Sequence, residues 1–232
     1  LEKGLITIPE ADAIFSKPMG IPGTGIFGLT DFVGADTTDH IADNSYELLV
    51  NDEFREKYKT PQFFKDMMAR GMFGNKAKGI GGFYLSGKDA DGKKFKKVID
   101  IKTLQHVDYD TKATYPVVEA AKAFKTIPEK IKYIFNNSEF AMRLLSCEFV
   151  YSVNRIPEIC DSLVEIDNAM KWGYAYEYGP FEMWDAIGLK DSLAGIEKSG
   201  YTIPDTVKVM LDKGAETFYR VQNGRKQFWD FT

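Results

Sequence analysis

The sequence predicts a mainly helical protein built from one structural unit used twice, with a small β-hairpin linker between the copies. Three observations carry that prediction. The pattern Gly-x-Phe-x-x-x-Asp-x-x-Gly occurs as Gly25-Ile26-Phe27-Gly28-Leu29-Thr30-Asp31-Phe32-Val33-Gly34 and again as Gly179-Pro180-Phe181-Glu182-Met183-Trp184-Asp185-Ala186-Ile187-Gly188. The offset is 154 residues at both ends (179 − 25 and 188 − 34). A second pair, Pro61 to Gly71 and Pro204 to Gly214, runs ten residues from proline to glycine in each copy, at an offset of 143 (204 − 61). A third pair, Phe83-Tyr84 and Phe218-Tyr219, follows in the same order. Ordered markers at a long period indicate duplication of one unit. The drop from 154 to 143 places an 11-residue deletion in the second copy.

The elements follow in order. Residues 1–5 read as the end of a helix, so the chain is expected to be a fragment of something longer. Residues 9–15 make a short helix entered through Pro9. Residues 17–24, with two prolines and two glycines, make a shaped loop. The opening motif is a short helix. In its second occurrence Gly179 is the N-cap, Pro180 the first helical residue, Glu182 the acid at the third position and Gly188 a left-handed stop. Residues 37–50 form a longer helix with Asp36 as its cap. Thr60-Pro61 opens a helix stopped at Gly71, with residues 204–214 as its counterpart. Residues 83–85 and 95–101 flank Asp91-Gly92, a hairpin turn signal. Residues 116–135 return to helix, in one or two pieces broken near Pro128. Residues 140–163 read as one long buried helix kinked at Pro157, which cannot donate to the carbonyl of Val153. The domains are therefore 1–88 for the first copy (N-terminally truncated), 89–115 for the hairpin and linker, and 116–232 for the second copy.

Composition narrows the function classes. The chain has 232 residues, 44% apolar and 28% charged, with net charge −4. Interspersed charges of that balance argue against a nucleic-acid-binding face. The exception, Lys93-Lys94-Phe95-Lys96-Lys97, reads as a hairpin edge protected by lysines. Cys147 and Cys160 read as buried free thiols, which suits a reducing cytoplasm. No apolar run approaches the roughly 18 residues of a membrane span.

Familiar catalytic patterns are missing. The sequence has no Gly-x-Ser-x-Gly, Cys-x-x-Cys or His-Glu-x-x-His, and no cluster at metal-ligand spacing. His40 and His106, 66 residues apart, read as surface or supporting residues. The glycine-rich stretch from Gly71 to Gly82 could cradle a phosphate, but it lacks both the phosphate-loop order and the strand–Gly-x-Gly-x-x-Gly–helix context. A structural turn is the better reading. Asn154, within a helix, is expected to form a core hydrogen bond, to lie exposed, or to contact a ligand.

In Lys17-Pro18-Met19-Gly20-Ile21-Pro22-Gly23-Thr24 together with the first motif, and in Lys78-Gly79-Ile80-Gly81-Gly82-Phe83-Tyr84, the chain resembles the C-terminal region of 3-hydroxyacyl-CoA dehydrogenases. The likeness is to the multifunctional fatty-acid β-oxidation type, which has two tandem copies. In the second copy the resemblance is carried by Asn154-Arg155-Ile156-Pro157-Glu158-Ile159, Ile166-Asp167-Asn168-Ala169-Met170-Lys171-Trp172-Gly173 and the second motif. It implies a helical fold like the C-terminal domain of 6-phosphogluconate dehydrogenase. It also implies a longer enzyme that oxidises (S)-3-hydroxyacyl-CoA with NAD. The Rossmann domain for NAD and the His–Glu base pair of that family precede the helical region, so no catalytic, cofactor-binding or metal residue is expected here. The substrate groove implied by the resemblance includes Pro22, Gly25 and Phe27, with Phe181 as the second-copy equivalent. Asn154 matches the family's substrate-contacting Asn, in the second copy only.

The expected partners are thus a 3-hydroxyacyl-CoA substrate, the enzyme's own Rossmann domain and a second copy of the chain. By itself the chain is expected to be inactive. The competing expectation is a non-catalytic helical module for dimerisation or domain docking, suggested by the 17 Phe, 12 Tyr and 3 Trp. Asp31 and Asp185 tempt as catalytic acids. Their repetition argues instead for capping or core hydrogen bonds.

Overall fold

A computed structural model describes residues 1–2 and 4–231. The fold is mainly α, with two small antiparallel sheets. The chain divides into two compact units: Leu1–Asp12 with Thr24–Ala113, and Ala13–Gly23 with Thr114–Thr232. Of the helix end expected over residues 1–5, Lys3 lies outside the described residues, and residues 4–6 are bends.

In the first unit α1 (Ile8–Ile14) begins where the Thr7 hydroxyl accepts from Glu10 N at 3.3 Å. Its register, with Ile8 buried, points Asp12 back into the same unit. The motif helix α2 (Gly25–Val33) stops at Gly34, whose φ of 109° lies outside the range favoured by other residues. α3 (Ala35–Leu48) restarts at once, two residues before the expected start. Asp36 is therefore inside the helix and not its cap, and it pairs with Lys76 Nζ at 2.5 Å. α4 (Gln62–Ala69) follows Pro61, as proline chemistry predicts. The strands β1 (Tyr84–Lys88), β2 (Lys94–Asp100) and β3 (Gln105–Asp108) form an antiparallel sheet in that order. Its first turn closes with the Asp89 carboxylate accepting from Lys93 N at 2.8 Å. The core gathers Ile8, Phe64, Met67, Phe83, Val98 and Ile99 from both helices and sheet.

The second unit contains a 3-10 turn at Lys17–Met19, which buries Met19 completely. Then come α5 (Pro116–Ala121) and α6 (Ile127–Asn137). Pro128 sits in the first turn of α6, where its missing N–H costs nothing, and Thr126 and Glu129 form a capping box. The expected 140–163 helix is instead α7 (Glu139–Asn154), a turn, and α8 (Leu163–Tyr174). Pro157 lies in the turn and kinks nothing; Ser162 and Glu165 restart the chain with another capping box. α9 (Pro180–Ile187) has the anticipated Gly179 cap and Pro180 start. α10 (Leu189–Lys198) and α11 (Asp205–Asp212) complete the helices. The hairpin β4 (Tyr219–Gln222) and β5 (Arg225–Phe228) turns at Asn223-Gly224, a strong hairpin signal that the reading of the sequence passed over. Here the core is aromatic: Phe149 stacks on Trp184 at 5.1 Å, and Phe181 meets Phe218 edge-on at 5.0 Å.

Candidate functional site

Each unit holds a pair of aspartates, one buried and one half-buried, tied to one tyrosine. In the first unit Asp12, the fifth residue of α1, accepts from Phe27 N at 2.7 Å and Gly28 N at 3.1 Å. Asp31, on α2, accepts from Phe83 N at 2.8 Å and Tyr84 N at 2.7 Å. The Tyr84 hydroxyl closes the set by donating to Asp12 at 2.8 Å. The start of α2 is thereby fastened to α1, and its far end to β1.

The second unit repeats this bond for bond. Asp167, the fifth residue of α8, accepts from Phe181 N at 2.9 Å and Glu182 N at 3.3 Å. Asp185 accepts from Phe218 N at 2.7 Å and Tyr219 N at 2.9 Å. The Tyr219 hydroxyl donates to Asp167 at 2.8 Å. The motif glycines permit the close approach. A Cβ on Gly25 would overlap Asp12, and one on Gly179 would overlap Asp167, in both cases at the backbone as well as the side chain.

Burial pushes all four carboxyls above the ordinary aspartate value, against the pull of their hydrogen-bond donors. Asp31, Asp167 and Asp185 rise to about 6, and Asp12 rises in the same direction. Glu148 on α7 is pushed up to about 7, chiefly by burial and then by the charge of Asp167. Each aspartate satisfies backbone N–H groups that would otherwise be orphaned. The arrangement is chemically an acceptor set that locks helix to strand. Of the two roles open to Asp31 and Asp185, the structure selects the core hydrogen bond.

The residues singled out for a substrate groove have varied surroundings. In the first unit, Gly25 is buried against Asp12, and Phe27 is half-buried with its ring 4.7 Å from that of Phe83. In the second unit, Pro22 is half-buried in the loop after Met19, and Asn154 is the last residue of α7. Phe181 is 1% exposed, enclosed by Phe218 and Phe231. Gly25 and Phe27 are the two that meet at one place, the start of α2.

Residues 71–82 do not fit a dinucleotide. Their backbone closes on α2, with Asn75 N donating to Asp31 O at 2.8 Å and Gly74 N to Gly81 O at 3.0 Å. A side chain on Gly82 would run into the Asp31 carboxylate. His106 supports the same turn, its Nε2 lying 2.9 Å from the Gly82 carbonyl, while His40 is exposed. Sequence reasoning missed Asp12, Asp167 and the two tyrosine hydroxyls. The signal for them was partial: Asp12 is the acid nearest before its motif, whereas Glu177 stands between Asp167 and Gly179.

Comparison with known proteins bears on this double arrangement. Residues 1–85 match the family described as 3-hydroxyacyl-CoA dehydrogenase, C-terminal domain. A Bacillus subtilis (strain 168) protein named for 3-hydroxyacyl-CoA dehydrogenase is 40% identical over 98% of this chain and 28% of its own length. A protein of Rickettsia prowazekii (strain Madrid E), named for a fatty acid oxidation complex trifunctional enzyme, is 31% identical over 74% of this chain and 22% of its own length. A protein of the same name from Rickettsia felis (strain ATCC VR-1525 / URRWXCal2) is 31% identical over 81% of this chain and 25% of its own. The chain thus spans about a quarter of the length of the curated relatives it matches. No solved structure gave a significant match.

Proposed function

We propose that this chain, which belongs to the 3-hydroxyacyl-CoA dehydrogenase C-terminal-domain family, is the substrate-binding and assembly region of an NAD-dependent (S)-3-hydroxyacyl-CoA dehydrogenase of fatty-acid β-oxidation. The observation that carries the reading is the 40% identity to the Bacillus subtilis relative, sustained over 98% of the chain. In this reading the two units descend from one duplicated repeat, and the repeated aspartate–tyrosine network supports that descent. NAD and the His–Glu base belong to a Rossmann domain elsewhere in the longer enzyme, which abstracts the hydroxyl proton and passes the C3 hydride to NAD. The helical region contributes a wall of the acyl-CoA groove and keeps water from the reacting carbon. Phe27 is the best-placed contact, because it is half-buried at the start of α2 with its ring anchored on Phe83. Pro22 precedes it in the chain and Gly25 opens its helix; Asn154 is a candidate in the second unit, where the equivalent Phe181 is enclosed by Phe218 and Phe231. The setting we assign is cytoplasmic, supported by the free thiols of Cys147 and Cys160. Among the described residues no helix is long and apolar enough to cross a membrane.

Calorimetry with an acyl-CoA and a dehydrogenase assay test this together. The 232-residue chain should bind acyl-CoA and reduce no NAD. NAD reduction by the pure chain, or failure to bind any acyl-CoA, would overturn the assignment. A second reading, a docking or dimerisation module, is favoured by one face of α2, where Leu29, Phe32 and Val33 are 40%, 72% and 47% exposed. Light scattering at high concentration separates the two: a strictly monomeric chain removes self-association from the account.

A further inference from the structure

Both units place a lysine over the network tyrosine, with different neighbours. In the second unit Lys226 lies opposite Val221 across β4 and β5, with its Nζ 4.0 Å from the centre of the Tyr219 ring. It also pairs with Glu182 at 2.9 Å, and Lys171 pairs with the same carboxylate at 3.0 Å. In the first unit Lys96 lies opposite Ser86 across β1 and β2, with its Nζ 4.1 Å from the centre of the Tyr84 ring. The pairing position is the same, two residues past the tyrosine. Glu182 is the fourth residue of Gly-Pro-Phe-Glu, and the first unit has Gly28 there. Both units have the lysine, and the carboxylate that answers it stands only in the second.

The surroundings of Lys96 add charge instead of removing it. Lys88 and Lys94 face each other across the same two strands. Strand alternation puts Ser86, Lys88, Lys94 and Lys96 on one face. Like charges directly opposite each other weaken a strand pair, so this face is unfavourable until something neutralises it. Among the described residues no carboxylate forms an ion pair with Lys88, Lys94 or Lys96; on the other face Lys97 pairs with Asp108 at 3.4 Å. Lys96 is felt by the Asp31 carboxylate from a distance, without bonding to it. Ser86, Lys88, Lys94, Lys96 and Thr111, together with Gly87 and Phe95, line a shallow, open depression of about 570 Å³. Solubilising edge lysines account for scattered charge, but not for the difference between Gly28 here and Glu182 at the same place in the other unit.

We infer that this face of the first unit binds a phosphate-bearing ligand of nucleotide size, with Lys96 supplying the charge that Glu182 neutralises in the second unit. Ammonium groups suit phosphate as compact point charges, and the Ser86 and Thr111 hydroxyls can donate to the same oxygens. Where the inference rests on the function proposed above, the ligand is the phosphorylated nucleotide end of an acyl-CoA.

The test is titration of the ¹⁵N-labelled 232-residue chain with adenosine 3′,5′-bisphosphate, inorganic phosphate and coenzyme A. The bisphosphate and coenzyme A should shift amides of β1, β2 and Thr111, and inorganic phosphate should bind far more weakly. Lys96→Gln should weaken the bisphosphate about tenfold, the effect of losing one charge-assisted contact. Gly28→Glu installs the second unit's acid, and a Cβ there meets only the Asp12 carboxylate, at an ordinary 3.6 Å. It should weaken binding by a similar factor, whereas Lys226→Gln should leave it unchanged. No hairpin shift with any probe overturns the site, as does unchanged affinity in both Lys96→Gln and Gly28→Glu. Inorganic phosphate binding as tightly as the bisphosphate overturns the nucleotide-sized ligand. The bisphosphate has no acyl group, so its binding here would survive a failure to bind acyl chains. Acyl-CoA binding without any bisphosphate binding would sink this inference alone.

Discussion

The helices α2 and α9 carry the same motif and hold the same hydrogen bonds, yet they meet different surroundings. α9 buries Pro180, Phe181, Met183, Trp184 and Ile187 and packs on α6 and α7. α2 buries Gly25 and Asp31 alone. Counted from the motif glycines, Leu29, Thr30 and Val33 stand where Met183, Trp184 and Ile187 stand, and Leu29 and Val33 are exposed. The apolar face has diverged with its cover, while the acceptor set has not. Apolar contacts tolerate exchange as long as volume is filled. A buried backbone N–H without an acceptor has no such latitude.

The largest test of that difference is steric. Gly25→Ala should cost about 4–5 kcal/mol, since it combines overlap with Asp12 and a left-handed backbone. Gly179→Ala should cost less, about 3–4 kcal/mol, because its φ of −78° suits any residue. Urea denaturation measures both, and a near-neutral result would mean that the helices do not approach as closely as described.

Next come the acceptors. Asp31→Ala leaves two buried N–H groups unpaired and should cost about 2–4 kcal/mol. Asp185→Ala should cost less, because Asp185 is only half-buried and one of its two donors, Tyr219, is also only half-buried. Equal losses would break the distinction. Tyr84→Phe and Tyr219→Phe each remove one hydroxyl donor and should cost about 1–2 kcal/mol, alike in the two units. Glu182→Gln, acting on the second unit alone, should cost about 1 kcal/mol and reduce the salt dependence of unfolding, as expected of a partly exposed ion-pair set.

The smallest effect is the pH dependence. The folded values of about 6 for Asp31, Asp167 and Asp185 lie above the ordinary 3.8, so the folded state binds their protons more tightly. Their contribution to stability is full below pH 3.8 and is lost as pH rises through 6. Asp31→Asn should therefore flatten the denaturation profile between those pH values. Carbon-detected titration of the wild-type carboxyls should show inflections near 6 in both units.

The reading of the sequence reached some parts of this fold and stopped short of others for physical reasons. Helix starts at Pro61, Pro180 and Pro204, and stops at Gly71, Gly188 and Gly214, are local events, set by a fixed φ or a freed one. The helix expected across Pro157 failed because apolar content alone does not distinguish one long helix from two short ones. What separated them was the capping box at Ser162 and Glu165, which also lay in the sequence. Phe181 showed the opposite limit. Its motif marks the family, but only the packing of Phe218 and Phe231 around it decides that the ring is enclosed.

By itself, the sequence determined the helical class, the two occurrences of the motif and the identity of the acids within it. Those are properties of residue type and spacing. Tertiary structure decided what the acids do. Asp31 bonds to amides 52 and 53 residues away and Asp185 to amides 33 and 34 away, while each tyrosine hydroxyl returns to a helix that precedes its motif. Spacing along a chain carries no record of such partners. Only folding brings a carboxylate in one segment within reach of an N–H in another, and the cost of leaving that N–H unpaired holds the pair together.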